Sequence, residues 1–169
     1  MMGDKKPAHE IAKQALYMYI HRDNYAYLYG TDGQTGTDEL VDKMVRRHAR
    51  HFEKFTHEDI QRLKDYVRGK ICFDCSGFVH TLFGSRDLNS FGIISDCDTL
   101  YNLPEQVTES PEATVLYKPG HIGIDTGHGT FVHIAAEFQT FRFERIREYE
   151  WTLAGEWTKY CDYSDAYNY

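Results

Sequence analysis

Ile11, Ala12, Ala15, Leu16, Tyr19 and Ile20 recur every three or four positions after Pro7, so the spacing predicts a first helix with one apolar stripe and Pro7 in its first turn. The next stretch, YAYLYGTDGQTGTD (25–38), is dense in Gly, Asp and Thr and reads as a loop. Two more helices come after it. Thr37 is placed to cap one, with Leu40, Val41, Met44 and Val45 as its stripe. Thr56 is placed to cap the other, with Ile60, Leu63 and Val67 inside and Gly69 as its stop. Asp74 caps a short fourth helix that buries Phe78, Val79, Leu82 and Phe83 and ends at Gly84. Residues 85–112 show no clear period.

Beyond them the period shortens. ATVLY (113–117), HIGID (121–125), TFVHIAAE (130–137) and TFRFERI (140–146) carry β-branched and aromatic residues in partial alternation and read as strands. GHG at 127–129 suits a three-residue hairpin loop with Gly supplying positive φ. Helices first and antiparallel strands after them is the pattern of an α+β domain.

The 169 residues suit a single domain, with 41% hydrophobic and 27% charged residues enough for a packed core. A net charge of −7 argues against a nucleic-acid partner, which needs Lys and Arg to displace counterions. No window offers a membrane-spanning apolar run. The start, MMGDKKPAHEIAKQ, has charge but no apolar stretch of a signal peptide, so the expectation is a protein that stays inside, leaves by another route, or is a piece of a longer chain. Cys72, Cys75, Cys97 and Cys161 are too few and scattered for a disulfide scaffold, and reduced thiols are the default.

ICFDCSGFVH (71–80) sets Cys75 between an aspartate and a serine. Four readings compete. Cys72-x-x-Cys75 is half of a zinc pattern, but Cys97 and Cys161 stand alone, which leaves only a site completed by histidines. A redox pair needs a βαβ context that the flanking elements do not supply. A packed thiol suits Cys72 and Cys161 better than Cys75, whose immediate neighbours are polar. A nucleophile has a physical motive: at the first position of a helix, free N–H groups and the helix dipole favour thiolate and can hold an oxyanion.

Such a thiol needs a base. His48, His51 and His57 lie in charged sequence, and His80 points to another side of the Cys75 helix. His121 opens an apolar strand in which Ile122 and Ile124 face the core and His121, Gly123 and Asp125 share the other face. With a loop at 127–129, residue 123 pairs with 133 and 121 with 135. His121 and His133 then become diagonal neighbours on one face, roughly 7–8 Å apart by backbone. His133 would orient His121, and His121 would deprotonate Cys75. Glu137, on the same face, is the alternative orienter, and His128 falls at the solvated loop tip.

FDCSGFV (73–79) followed by PGHIGIDTGHGTFVHIA (119–135) resembles the NlpC/P60 family of cell-wall cysteine peptidases. The resemblance implies a papain-like α+β fold with Cys75 as nucleophile, His121 as base and His133 as the third, polar member. It implies endopeptidase action on peptidoglycan stem peptides, typically beside D-γ-glutamyl or diaminopimelyl residues, with no metal or cofactor. YLYGTDG (27–33) is similar to the family's Tyr-x-(Trp/Tyr)-Gly-Gly segment, which makes Tyr27 an active-site tyrosine, with a core aromatic as the equal alternative. Asp74 and Ser76 are implied as contacts for a substrate amine, beside Asp74's local role as a cap. EYEWTLAGEWTKYCDY (148–163) looks like the closing segment of phage-associated members, and a cell-wall enzyme with no visible signal implies phage-linked or other delivery to the wall, with the cytoplasm as the alternative. Thr31 replaces the second Gly of the pair, SPEA (110–113) stands where Pro-Gly-Asp is usual, and 37–69 reads as an inserted pair of helices. A papain-like amidase or acyltransferase, and a non-catalytic wall-binding module, remain as other outcomes of the same fold.

Overall fold

Pro7 ends a two-residue strand, β1 (Lys6–Pro7), and stands as the N-cap of α1 (Ala8–Ile20) rather than inside its first turn. The helix buries Ala8, Ile11, Ala12 and Ala15, the stripe that its spacing predicts. This is a computed structural model, and it describes residues 4–166; the first three residues of the MMGDKKPAHEIAKQ stretch and residues 167–169 lie outside it.

The stretch expected as a loop at 25–38 contains two short strands, β2 (Tyr25–Tyr27) and β3 (Asp32–Thr35). β3 is exposed along its whole length, so no side-chain alternation marks it; only its backbone pairing makes it a strand. Thr37 caps α2 (Asp38–Arg47) by accepting the Leu40 N–H at 3.0 Å. After a four-residue helix, α3 (Ala49–Phe52), Thr56 and Asp59 bond each other's backbone N–H in a capping box that starts α4 (His57–Val67). Arg68, one residue before the expected Gly69, is its C-cap. Val41, Met44, Phe52, Leu63 and Val67 pack with Ala26, Leu28 and Cys72 into a small core of their own. β4 (Ile71–Phe73) leads out of that core toward the second half of the chain, lying parallel to β2 and antiparallel to β3. Strands are therefore not confined to the second half.

Asp74 caps α5 (Cys75–Phe83), and Gly84 closes it. Two short helices, α6 (Ser90–Ser95) and α7 (Pro104–Thr108), with β5 (Thr99–Tyr101) between them, fill the region without a period. Six or five residues are too few to show one. Then come β6 (Val115–Lys118), β7 (His121–Gly127), β8 (Thr130–His133), β9 (Arg142–Arg145) and β10 (Leu153–Glu156). They form an antiparallel sheet in the order β5-β10-β6-β7-β8-β9, while β11 (Cys161–Asp162) runs parallel to β1.

The β7–β8 register is the expected one: Ile124 faces Val132 and Asp125 faces Phe131. The turn is tighter than predicted. Gly127 pairs with Thr130, leaving His128 (φ 55) and Gly129 (φ 73) at the tip, and an irregularity between Asp125 and Gly127 takes up the extra residue. β8 stops at His133 rather than running on to Glu137, and β9 begins at Arg142.

Both faces of β7 are covered. Ile122, Ile124 and Val132 meet Ile11 and Ala15 of α1 and Phe78, Val79 and Leu82 of α5 in the main core. Leu116, Phe131 and Ala154 meet Val107, Ile146 and Trp151 on the other side. Burying the three large α5 side chains is worth roughly 1.5–3 kcal/mol each, enough to fix the helix against the sheet and with it the residue at its start. Among the described residues, no helix is long and apolar enough to cross a membrane.

Candidate active site

Cys75 is the first residue of α5, directly after the Asp74 cap. The Asp74 carboxylate ties three groups together: one oxygen accepts the Gly77 N–H (2.7 Å) and the Ser76 hydroxyl (3.2 Å), the other the Gly30 N–H (2.8 Å). Asp74 also donates its own N–H to the Thr31 carbonyl at 3.0 Å. The 30–31 loop thus lies directly against the turn that carries the cysteine. Gly77 permits this: a Cβ there would come within 2.1 Å of the Thr31 carbonyl oxygen.

The backbone N–H groups of Ser76, of Ile122, the second residue of β7, and of Cys75 itself pull the Cys75 thiol toward its ionised form. These donors favour thiolate, as the helix-start argument expects. They do not prevail. Burial, seconded by the Asp74 charge, pushes the Cys75 thiol up to about 12. The expectation of a depressed thiol is therefore corrected, because desolvation and the Asp74 charge outweigh the three N–H groups together.

On the sheet side, the His121 Nε2 lies 2.7 Å from the His133 Nδ1. The diagonal relation expected from the hairpin brings the two rings together. The chain of contacts continues, since the His133 Nε2 is 2.5 Å from the Glu144 Oε2 and the other Glu144 oxygen accepts from Arg142 at 3.1 Å. No sequence motif points to Glu144; its only signal is its place two residues beyond Arg142, the partner of His133 across β8 and β9. Burial, the neighbouring His133 and Lys118 lower His121 to about 3. His133 is also lowered by burial, against an opposing pull from Glu144.

The pair sits in an aromatic enclosure. His121 stacks on Trp151 at 5.5 Å with the planes 13° apart, and Tyr149 meets the edge of His133. Gly123 makes room: a Cβ there would lie 3.1 Å from the Trp151 ring and 3.3 Å from the His133 Cβ.

The helix side opens into a cleft of about 590 Å³ lined by Cys75, Ser76, Tyr27, Asp32, His80 and Phe91, among others. Arg47 and His48, at the end of α2, also line it, so part of the 37–69 segment borders the opening. Tyr27 is buried and held protonated, chiefly by that burial and then by Cys75 and Asp74. It can donate a hydrogen bond into the cleft and accept none of the thiol's charge. His80, expected to point away from Cys75, lies on the same cleft with Asp32 and Asp87 at 3.6 and 3.5 Å.

The remaining candidates disperse. Glu137, the alternative orienter, bonds His51 at 2.6 Å instead. His128 is exposed at the hairpin tip. Cys72 packs in the small core with its thiol pushed up to about 11, so it does not share the cleft with Cys75. Among the described residues, no group of three or more His, Cys, Asp or Glu is placed to hold a metal ion.

No protein-family model matches the chain, and no curated protein matches it in sequence. Solved structures do match. NlpC1 from Trichomonas vaginalis superposes with a TM-score of 0.51 at 10% identity over 93% of this chain. NlpC2 from the same organism gives 0.50 at 12% identity over 90%. The chain spans 46% of the length of each. At such identities the likeness is one of fold, and that fold is the α+β, papain-like NlpC/P60 fold expected from the sequence.

Proposed function

We propose that the chain is a cysteine peptidase that hydrolyses the peptide stems of bacterial peptidoglycan. The observation that carries the reading is the 2.7 Å contact between His121 and His133 at the start of the strand whose next residue, Ile122, has a backbone N–H that favours the ionised Cys75 thiol. That arrangement supports reading Cys75 as nucleophile, His121 as base and His133 as its orienting partner, carried by one helix and two strands.

With the thiol held up and the imidazole held down, both start neutral, so proton transfer accompanies attack. Cys75 Sγ bonds to the substrate carbonyl carbon as its proton passes to His121. The Cys75 N–H is among the donors available to the oxyanion. His121 then returns the proton to the leaving amine as the C–N bond breaks. Water, deprotonated by His121, attacks the thioester and frees the thiol. Tyr27 hydrogen-bonds near the sulfur, and Ser76 and Asp74 border the approach of a substrate amine. No step calls on a metal or a cofactor. The likeness of 148–163 to the closing segment of phage-associated members supports a phage-linked route to the wall.

Purified peptidoglycan incubated with the protein, with fragments read by mass spectrometry, tests this. New stem-peptide termini, absent with Cys75→Ala, are expected. Cleavage elsewhere, or acyl transfer, would make it a related papain-like enzyme; binding without any product would make it a wall-binding module.

A further inference from the structure

Glu144 has no task in the proposed reaction, yet it ends a continuous line of contacts that begins at the base. It lies on β9 opposite Phe131, two residues from the partner of His133, and so shares the face of both histidines. Its Oε2 meets the His133 Nε2 at 2.5 Å, and its Oε1 is held by Arg142 at 3.1 Å. We propose that Glu144 is a positioning residue that sets the tautomer of His121, acting through His133. The inference rests on the peptidase reading for its purpose, but not for its chemistry.

The chemistry comes from donor and acceptor capacities. A carboxylate beside Arg142 can only accept, so the His133 Nε2 must carry a hydrogen. A neutral imidazole carries one N–H, which leaves the His133 Nδ1 a bare acceptor. The His121 Nε2, 2.7 Å away, must then donate. That in turn leaves the His121 Nδ1 as a lone pair, the one form able to take a proton from a thiol. Reversed, the same contacts would put the hydrogen on the His121 Nδ1 and block it. A histidine as third member is symmetric in this respect, able to run the chain either way; a fourth group that only accepts removes the choice.

The groups facing the pair agree with neutral rings. Lys118 of β6 and Arg142 oppose protonation of His133, while Glu144 favours it and burial decides against it. Lys118 also opposes protonation of His121. Trp151 and Tyr149 enclose the rings without supplying charge.

The test reads ¹⁵N chemical shifts of labelled imidazoles, assigned with His121→Gln and His133→Asn. In the unaltered protein both rings should show a pyrrole-like Nε2 and a pyridine-like Nδ1; a protonated Nδ1 on His121 overturns the inference without any variant. Glu144→Gln has the same shape, but its oxygen remains with Arg142 and its amide turns toward His133. It should reverse both tautomers and slow alkylation of Cys75 by iodoacetamide about 10²-fold, whereas Glu144→Asp should keep the tautomers. If Glu144 merely fills space, Gln would serve as well as Glu, with unchanged shifts and alkylation. Neither readout needs a substrate. Correct tautomers in a protein inert on peptidoglycan would sink the peptidase reading alone, and turnover with the reversed tautomer would sink this one alone.

Discussion

The two sides of the site are built on opposite principles. The helix side is held by backbone: the Asp74 carboxylate and the Thr31 carbonyl position Cys75, and the cleft before it is lined by polar and charged groups. The sheet side is held by rings: His121 and His133 lie among Trp151, Tyr149 and Phe131, with Glu144 in contact with His133 and Lys118 and Arg142 the nearby cations. The difference separates two jobs. In the proposed reaction the polar side would receive the substrate, while the ring-lined side would keep the proposed base neutral.

This contrast is most directly tested at its two reactive atoms. Cys75→Ala and His121→Ala should each lower turnover about 10⁴-fold or more, with the fold intact by circular dichroism. A folded His121→Ala protein with substantial turnover would mean that the ring-lined side holds no base. Next, His133→Ala should cost about 10²-fold, with part regained in His133→Asn, because orientation can be supplied by another polar group. Glu137→Gln should stay near the unaltered rate, since that carboxylate serves His51. Steady-state kinetics on the three variants would reverse the assignment if Glu137→Gln were the slower.

The thiol offers a sharper measurement. With Cys75 pushed up to about 12 and His121 down to about 3, alkylation of Cys75 should climb steadily with pH and show no plateau in mildly acidic solution. A plateau there would reveal a preformed ion pair and make the two sides electrostatically one.

A smaller effect is expected further along β7, at Asp125. Fully buried, it accepts from the Gly127 N–H at 2.7 Å and lies 2.8 Å from the Ser110 hydroxyl, which also reaches the Val107 carbonyl at 2.8 Å. One proton on the carboxyl lets it donate to Ser110 while Ser110 donates to Val107, and burial raises Asp125 to about 8. Its folded value lies above its unfolded one. The native state therefore binds the proton more tightly, and stability present below about 3.8 is lost progressively as pH rises toward about 8. Asp125→Asn mimics the protonated group and should gain about 1–3 kcal/mol in urea melts at pH 8, with little change in turnover. Equal melts at that pH would place the carboxylate in a better environment than its neighbours suggest. The least effect belongs to His128→Ala, at the exposed hairpin tip, where rates should be unchanged.

What the sequence reveals of this site is what local rules govern. Thr37, Thr56 and Asp74 cap helices because each side chain reaches only three residues ahead. The β7–β8 register is set by one Gly-rich turn, which is why the meeting of His121 and His133 is legible. Glu144 is not, because eight residues outside the sheet separate β8 from β9, and no side-chain pattern fixes where pairing resumes. Nor is Trp151, whose ring reaches His121 from a segment between elements. β3 leaves no apolar trace, and α6 and α7 are too short to leave one. The thiol's environment fails for another reason: the helix start is visible in sequence, but burial of the sulfur belongs to the folded whole.

His121, His133 and Glu144 sit on three successive strands, each diagonal to the next on one face. Because strand faces alternate, a slip of β9 by one residue would carry Glu144 to the opposite side and leave the rest of the ladder paired. The relay is thus a ruler of register. During refolding, compactness and secondary structure can return while the sheet is still misaligned, but the single-tautomer signature of His121 can return only when all three strands are in step. It should therefore be the last native signal to recover, and it would separate molecules that are merely folded from those that are correctly zipped.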